Sequence, residues 1–203
     1  MESIILASAS SRRQELLTQI GVRFTVRSQY IDESIRIGEL ANDYVSRMAQ
    51  EKANSALSAL CVTKDSSDTL VLAADTSVVC DATVLGKPLD EADAVDMLRR
   101  LSGREHRVLS AVTLSTQDKQ RTVLSESRVR FREISIEEAQ QYYRSGEPLG
   151  KAGAYAIQGY AAVFVEQLVG SYSGVMGLPL FETAQLLAEF SVPMQFIKPA
   201  LVK

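Results

Sequence analysis

Apolar and polar positions follow two periods along the chain, and their order predicts an α/β protein. Ile4-Ile5-Leu6-Ala7 reads as a short buried strand. The small-residue turn Ser8-Ala9-Ser10-Ser11 follows, with hydroxyls suited to capping a helix. That helix has Leu16, Leu17 and Ile20 as its apolar face and Gly21 as its stop. Phe24 to Ser28 alternates like a second strand, and Asp32 and Glu33 fall in an acidic loop. Tyr44, Val45, Met48, Ala49, Lys52, Ala53, Ala56 and Leu60 recur at helical spacing and predict a helix over 42–60. Lys64 to Asp68 is a polar loop. Leu70 to Ala74 is a continuous apolar run, the pattern of a strand covered on both faces, and it continues past Asp75 into Val78 and Val79. A turn at Asp81-Ala82-Thr83 leads to Val84 and Leu85, and Gly86-Lys87-Pro88 ends the unit.

Asp90 to Leu101 predicts a helix with Ala94, Met97, Leu98 and Leu101 on one side. Alternation from His106 to Thr116 and from Thr122 to Phe131, about Gln117-Asp118-Lys119, predicts an antiparallel hairpin. Ser135 caps a helix to about Arg144, with Glu138 in capping-box position. Beyond a glycine-rich region, strands are expected near Tyr155 to Ile157 and Val163 to Leu168, then a helix from Pro179 to Phe190. Hairpins mixed with strand-helix alternation imply a mixed twisted sheet flanked by helices, consistent with two lobes around a cleft. No repeat or linker divides the chain, so one domain over 1–203 is expected.

Composition narrows the chemistry. Lys plus Arg is 22 against 25 for Asp plus Glu, a net charge of −3. This argues against a general nucleic-acid binder, which needs surplus cations to displace counterions. One histidine, His106, leaves no room for histidine-rich zinc sites, and any Ser-His-Asp triad would hang on that one residue. Cys61 and Cys80 stand apart without a C-x-x-C, which suits a reduced compartment. The start of the chain has no targeting pattern, and no apolar run approaches the ~20 residues needed to span a bilayer. A cytoplasmic protein without a membrane partner is expected. Its chemical tools are carboxylates, Lys, Arg and hydroxyls, with room for an oxygen-ligated metal.

Arg12 and Arg13 sit in the first turn of a helix, where the dipole disfavours cations unless an anion binds there. The same pair also fits a solvated surface. Asp75 interrupts a buried strand, which costs desolvation energy unless a cation, metal or donor meets it. Glu33 by itself reads as a solvent-facing loop acid. Lys52 either snorkels from the core edge or reaches into a cleft. Lys87, between Gly86 and Pro88, projects into a site or simply marks a surface turn. Gln158, at the end of an expected strand, offers one donor and one acceptor to a base edge, or faces water. His106 reads as structural.

Taken together, Leu6-Ala7-Ser8-Ala9-Ser10-Ser11-Arg12-Arg13, Ala74-Asp75-Thr76, Gly86-Lys87-Pro88, Leu101-Ser102-Gly103, Lys151 to Gly159 and Gly177-Leu178-Pro179-Leu180-Phe181-Glu182-Thr183 resemble the Maf family of nucleoside triphosphate pyrophosphatases. The resemblance implies an α/β fold with a deep cleft between two lobes, and cleavage between the α and β phosphates. It implies a divalent cation, Mg2+ or Mn2+, and a homodimer. It places Asp75 at the proton-acceptor position. Ser8, Arg13, Lys52 and Lys87 fall at positions associated with phosphate, and Glu33 and Asp75 at positions associated with the metal. Arg12, Thr76 and Gln158 match the specificity positions of the branch that prefers dTTP and UTP, with modified pyrimidine nucleotides a related expectation. Ser11 stands where the family usually has proline, and Gly150 replaces a common acid before Lys151.

The expected mechanism follows from charge. Cations neutralise the triphosphate, carboxylates hold the metal, and Asp75 takes a proton from the attacking water. Gln158 matches N3–H and O4 of thymine or uracil, whereas cytosine presents the reverse pattern. The alternative is a nucleotide-binding regulator of cell division that needs no turnover.

Overall fold

The computed structural model describes residues 4–61 and 69–194, so the expected loop at 64–68 lies outside the described residues. Strands β1 (Ile4–Leu6), β2 (Phe24–Val26), β3 (Val71–Cys80), β4 (Thr83–Leu85), β5 (Glu105–Ser115), β6 (Gln120–Phe131) and β7 (Val165–Val169) form one seven-stranded sheet. Its order is β2-β1-β3-β5-β6-β7, with β4 also paired to β3. The sheet is mixed, as expected: β1 is parallel to β2 and β3, and the other pairs are antiparallel. The helices are α1 (Ser11–Gln19), α2 (Ala41–Cys61), α3 (Glu91–Leu101), α4 (Ile136–Arg144), α5 (Tyr172–Met176) and α6 (Leu180–Glu189). None is long and apolar enough to cross a membrane.

Strand β3 organises the molecule through the two-residue period of its side chains. Val71, Ala73 and Val79 pack beneath α2, whose small Ala49, Ala53 and Ala56 let helix and sheet approach closely. Leu70, Leu72 and Ala74 face the opposite way, against Leu16 and Leu17 of α1 and Leu186 and Leu187 of α6. Further along that face, Val78 and Cys80 join a separate cluster with α3, α4, Phe131 and Phe164. On both faces the apolar contacts divide at Asp75 and Thr76.

The sheet divides there too. Strand β1 pairs with β3 as far as Leu72, and β4 pairs with the stretch from Val78 to Cys80. Strand β5 takes the other edge of β3 throughout, from Val71 to Val79. No described strand pairs with residues 73–77 on the first edge. The opening between β1 and β4 is the cleft, and the lobes are the packing clusters on either side of it.

Three expected strands needed correction. Tyr155 to Ile157 is buried but not a strand. Gly153 and Ala154 in the preceding 3-10 turn have φ of 66° and 58°, which breaks any extended run, and the apolar residues pack into the α3–α4 cluster instead. Burial and strand look alike in so short a stretch. Strand β7 starts only at Val165, because a 3-10 helix occupies Tyr160–Phe164. Strand β2 stops at Val26 rather than Ser28. Helix α5 was not anticipated. The caps expected for α3 and α4 are present: Asp90 accepts from the Asp93 N–H, and Ser135 and Glu138 form a capping box.

Candidate active site

The cleft measures about 830 Å³, and Ser8, Arg12, Arg13, Glu33, Lys52, Asp75, Thr76, Lys87 and Gln158 all line it. Every residue singled out for chemistry in the sequence therefore reaches one space. Because Asp75 and Thr76 are adjacent in a strand, they serve opposite faces of the sheet.

On the α2 face, Lys52 Nζ lies 2.7 Å from Asp75 Oδ1 and 2.7 Å from Glu33 Oε1. Lys52 is only 9% exposed, so it reaches into the cleft and does not snorkel outward. Lys87 Nζ approaches Glu33 Oε2 at 3.4 Å. Glu33 is therefore not the free loop acid that its local sequence suggests. Partial burial pushes its pKa up, but the bond to Lys52 and the charges of Lys52 and Lys87 outweigh this and hold it below the ordinary glutamate value. The loop is fastened to α2 from behind: Tyr44 donates to the Glu33 carbonyl at 2.9 Å, and Arg47 donates to the Ser34 carbonyl and pairs with Glu39. Burial, with the charges of Asp75 and Glu33, raises the Tyr44 pKa to about 12, so this donor keeps its proton.

On the opposite face, Arg13 turns inward. It donates to the Gly177 carbonyl at 2.8 Å, to Ser8 Oγ at 3.1 Å and to Thr76 Oγ1 at 3.3 Å. Burial lowers its pKa, and Asp75 and Glu33 oppose that shift. Arg12 separates from its neighbour and pairs with Glu15 at 2.6 Å on a more exposed side of α1. The expected serine cap of α1 is absent: Ser10 occupies the cap position without a side-chain bond, and Ser8 accepts from Arg13 and the Ser10 N–H. The first turn of α1 thus presents its positive dipole end to the cleft with no acidic side chain.

Ser110 donates to the Gly174 carbonyl at 2.6 Å and meets Thr76 Oγ1 at 2.9 Å. Thr76 has Ser110 and the Gly177 carbonyl, at 3.4 Å, as acceptors for its proton, and its oxygen accepts from Arg13.

Gln158 lies in the turn after Ile157, not at a strand end. Its side chain makes no hydrogen bond among the described residues, which leaves both amide functions to the cleft. Lys151 and Gly150 border the same end, and Gly150 adopts φ of 70°. A Cβ there would meet nothing within 4 Å, so the positive φ and not packing is what favours glycine at this rim. Tyr155 forms part of the wall and bonds His106 Nε2 at 2.9 Å, the partner that sequence could not name.

Among the described residues no group of three or more His, Cys, Asp or Glu gathers for a metal. Asp75 and Glu33, bridged by one ammonium, form a hard-oxygen pair. That donor set suits Mg2+ or Mn2+, which take one or two carboxylates and complete their shell with phosphate and water. Sequence reasoning missed Ser110 and Gly177, which hold Thr76 and Arg13. Ser110 is one of two serines in β5 with nothing local to single it out, and only the glycine before Leu178-Pro179 carried a signal.

The Maf family, described as Maf-like protein, matches residues 3–190. A dTTP/UTP pyrophosphatase of Methylococcus capsulatus is 53% identical over 184 residues, covering 91% of this chain and 89% of that protein. One from Hahella chejuensis is 50% identical over 189 residues, 93% and 92% of the two chains. One from Neisseria meningitidis is 43% identical over 202 residues, 98% of this chain and all of that protein. Matched across both lobes and every residue of the cleft, the chain belongs to the Maf family.

Proposed function

We propose that this protein is a nucleoside triphosphate pyrophosphatase that hydrolyses dTTP and UTP to the monophosphate and pyrophosphate. The observation that carries the reading is the Lys52 ammonium held between Asp75 and Glu33, with Arg13 facing them across the sheet. A triphosphate tail needs that density of cations, and hydrolysis needs a carboxylate beside it.

Ser8, Arg13, Lys52 and Lys87, with the amides of the first turn of α1, bind and orient the phosphates. Glu33 and Asp75 would hold the divalent cation. When bound, that ion neutralises phosphate charge and makes water more acidic. Asp75 accepts a proton as the water oxygen bonds to one phosphorus of the α–β anhydride. The anhydride P–O bond between the α and β phosphates breaks, giving the monophosphate and pyrophosphate. A free aspartate, with a pKa of ~3.9, is a weak base at neutral pH, so orientation and electrostatics carry much of the work.

At the other end Gln158 presents its amide to N3–H and O4 of thymine or uracil, with Arg12 lining the same end and Thr76 deeper in the same cleft beside Arg13. Cytosine reverses that pattern, and a buried mismatch of donors and acceptors discriminates strongly. The same reading makes the protein a cytoplasmic homodimer of one-domain chains, which light scattering checks. Pyrophosphate release from dTTP, UTP, CTP, GTP and 7-methyl-GTP, each with Mg2+ and Mn2+, tests the activity. Preference for dTTP and UTP is expected. A purine preference overturns the roles of Thr76 and Gln158, and binding without turnover favours the regulator.

A further inference from the structure

We infer that Tyr142 and Glu147 form a positioning pair that sets the base-reading amide of Gln158. The argument starts from the backbone on either side of that residue. Tyr142, at 5% exposure, accepts a hydrogen bond from the Ala156 N–H at 3.2 Å and donates its own proton to Glu147 Oε1 at 2.8 Å. Glu147 then accepts from the Tyr160 N–H through Oε2 at 2.9 Å and from the Ala161 N–H through Oε1 at 3.2 Å. The pair thus grips the chain two residues before Gln158 and two and three residues after it. Gln158 is the residue in the middle, and its side chain is left to the cleft.

The pair is itself rigid. The Tyr142 ring packs edge-on against Phe164 with centroids 5.4 Å apart. Glu147 follows the end of α4, where the Ser145 hydroxyl accepts from the Glu147 N–H and donates to the Tyr142 carbonyl. Burial, together with the bond to Glu147, raises the Tyr142 pKa, so the hydroxyl remains a donor. Packing adds a second constraint, because a Cβ at Gly159 would overlap the Glu147 carboxylate. Glycine at 159 is therefore a requirement of the carboxylate's position, and the two fix the turn from opposite sides. A carboxylate is needed for this arrangement. It is acceptor-only on both oxygens, whereas an amide would turn an N–H toward one of the three donors.

The inference rests on the reading of Gln158 as the contact to the base. Its test is kcat and KM for dTTP and CTP in wild type, Glu147→Gln, Glu147→Asp and Gly159→Ala. Displacing a discriminating group by about 1 Å costs up to roughly 100-fold. Glu147→Gln and Gly159→Ala are expected to lower the dTTP:CTP ratio of kcat/KM by about 10-fold or more, through the KM for dTTP. The kcat for dTTP stays within about 3-fold, because Asp75 and Lys52 lie on another face of the cleft. Glu147→Asp keeps the acceptor charge and recovers part of the ratio. Should Glu147→Gln fail to fold, Gly159→Ala and Glu147→Asp carry the test. A wild-type ratio near one overturns the base reading and this inference with it. A wild-type preference that the variants retain, or an equal loss on both nucleotides, overturns the positioning role alone.

Discussion

Lys52 Nζ and Asp75 Oδ1, 2.7 Å apart, join the middle of α2 to the middle of β3 at the point where the apolar packing of both elements is interrupted. Leu60, Ala56 and Ala53 lie to one side of this contact and Ala49 and Val45 to the other. The side chains are 11% and 14% exposed, so the carboxylate depends on the ammonium for much of its stabilisation. Lys52→Met leaves the part-buried Asp75 without its ammonium and facing Glu33, which keeps only the more distant Lys87. A loss of about 3 kcal/mol in unfolding free energy is expected, measured by urea denaturation, together with at least about 100-fold lower dTTP turnover.

Asp75→Asn separates binding from chemistry. The amide keeps the shape and can still accept from Lys52, but it cannot take a proton from water. The expected outcome is a fall of about 10²–10⁴ in kcat, with dTTP affinity by calorimetry changed by less than about 10-fold. Turnover at the wild-type rate would remove Asp75 from the proton-transfer step.

Gly153 tests how the cleft wall is built. It has φ of 66°, its N–H donates to the Gly86 carbonyl at 2.9 Å, and a Cβ would come within 2.8 Å of Val78. Backbone strain and overlap act together in Gly153→Ala, for a loss of about 2–4 kcal/mol. Gly146→Ala is the control: φ is 78° but nothing lies within 4 Å, so only the backbone cost of about 1–2 kcal/mol applies. Equal losses in the two variants would show that Val78 gives way.

The single histidine supplies a pH dependence of stability. His106 is 2% exposed, and burial lowers its pKa to about 4 from an ordinary 6.5. Between those values the unfolded chain binds a proton that the folded protein refuses, so stability rises with pH across this window. Its contribution is complete above pH 6.5 and is lost as pH falls toward 4, by up to about 3 kcal/mol. Denaturation midpoints of wild type and His106→Gln, compared from pH 7.5 to pH 4, isolate this from the carboxylates. Curves that stay parallel would show that the imidazole titrates alike in both states.

Sequence patterning disclosed the elements with long, regular periods: α2, α3, α4, the β5–β6 hairpin and β3. It failed where burial was achieved without regular structure, as at Tyr155 to Ile157, and where a helix was too short to show a period, as at α5. Asp75 was identifiable because a carboxylate in a buried strand has a cost that demands a partner, whereas Glu33, Arg12, Arg13 and Lys87 also suited a solvated surface and were drawn to the site by the family resemblance. The partners themselves were not identifiable, since Lys52 and Asp75 are 23 residues apart and Arg13 and Gly177 are 164 apart. Polar neutral groups such as Ser110 carry no such cost when satisfied, and only the folded arrangement reveals them.

The missing stretch of edge pairing beside β3 has a consequence for how any ligand is handled. A continuous sheet is a wall, and groups projecting from its two sides cannot touch the same small molecule. Here the wall is notched where adjacent residues point to opposite sides, so one molecule seated in the notch meets Asp75 and Thr76 at once. Lengthening β1 toward β4 would draw Ser8 and the start of α1 into the strand, so the early end of β1 opens the notch and also frees the turn that delivers Ser8 and Arg13 to it.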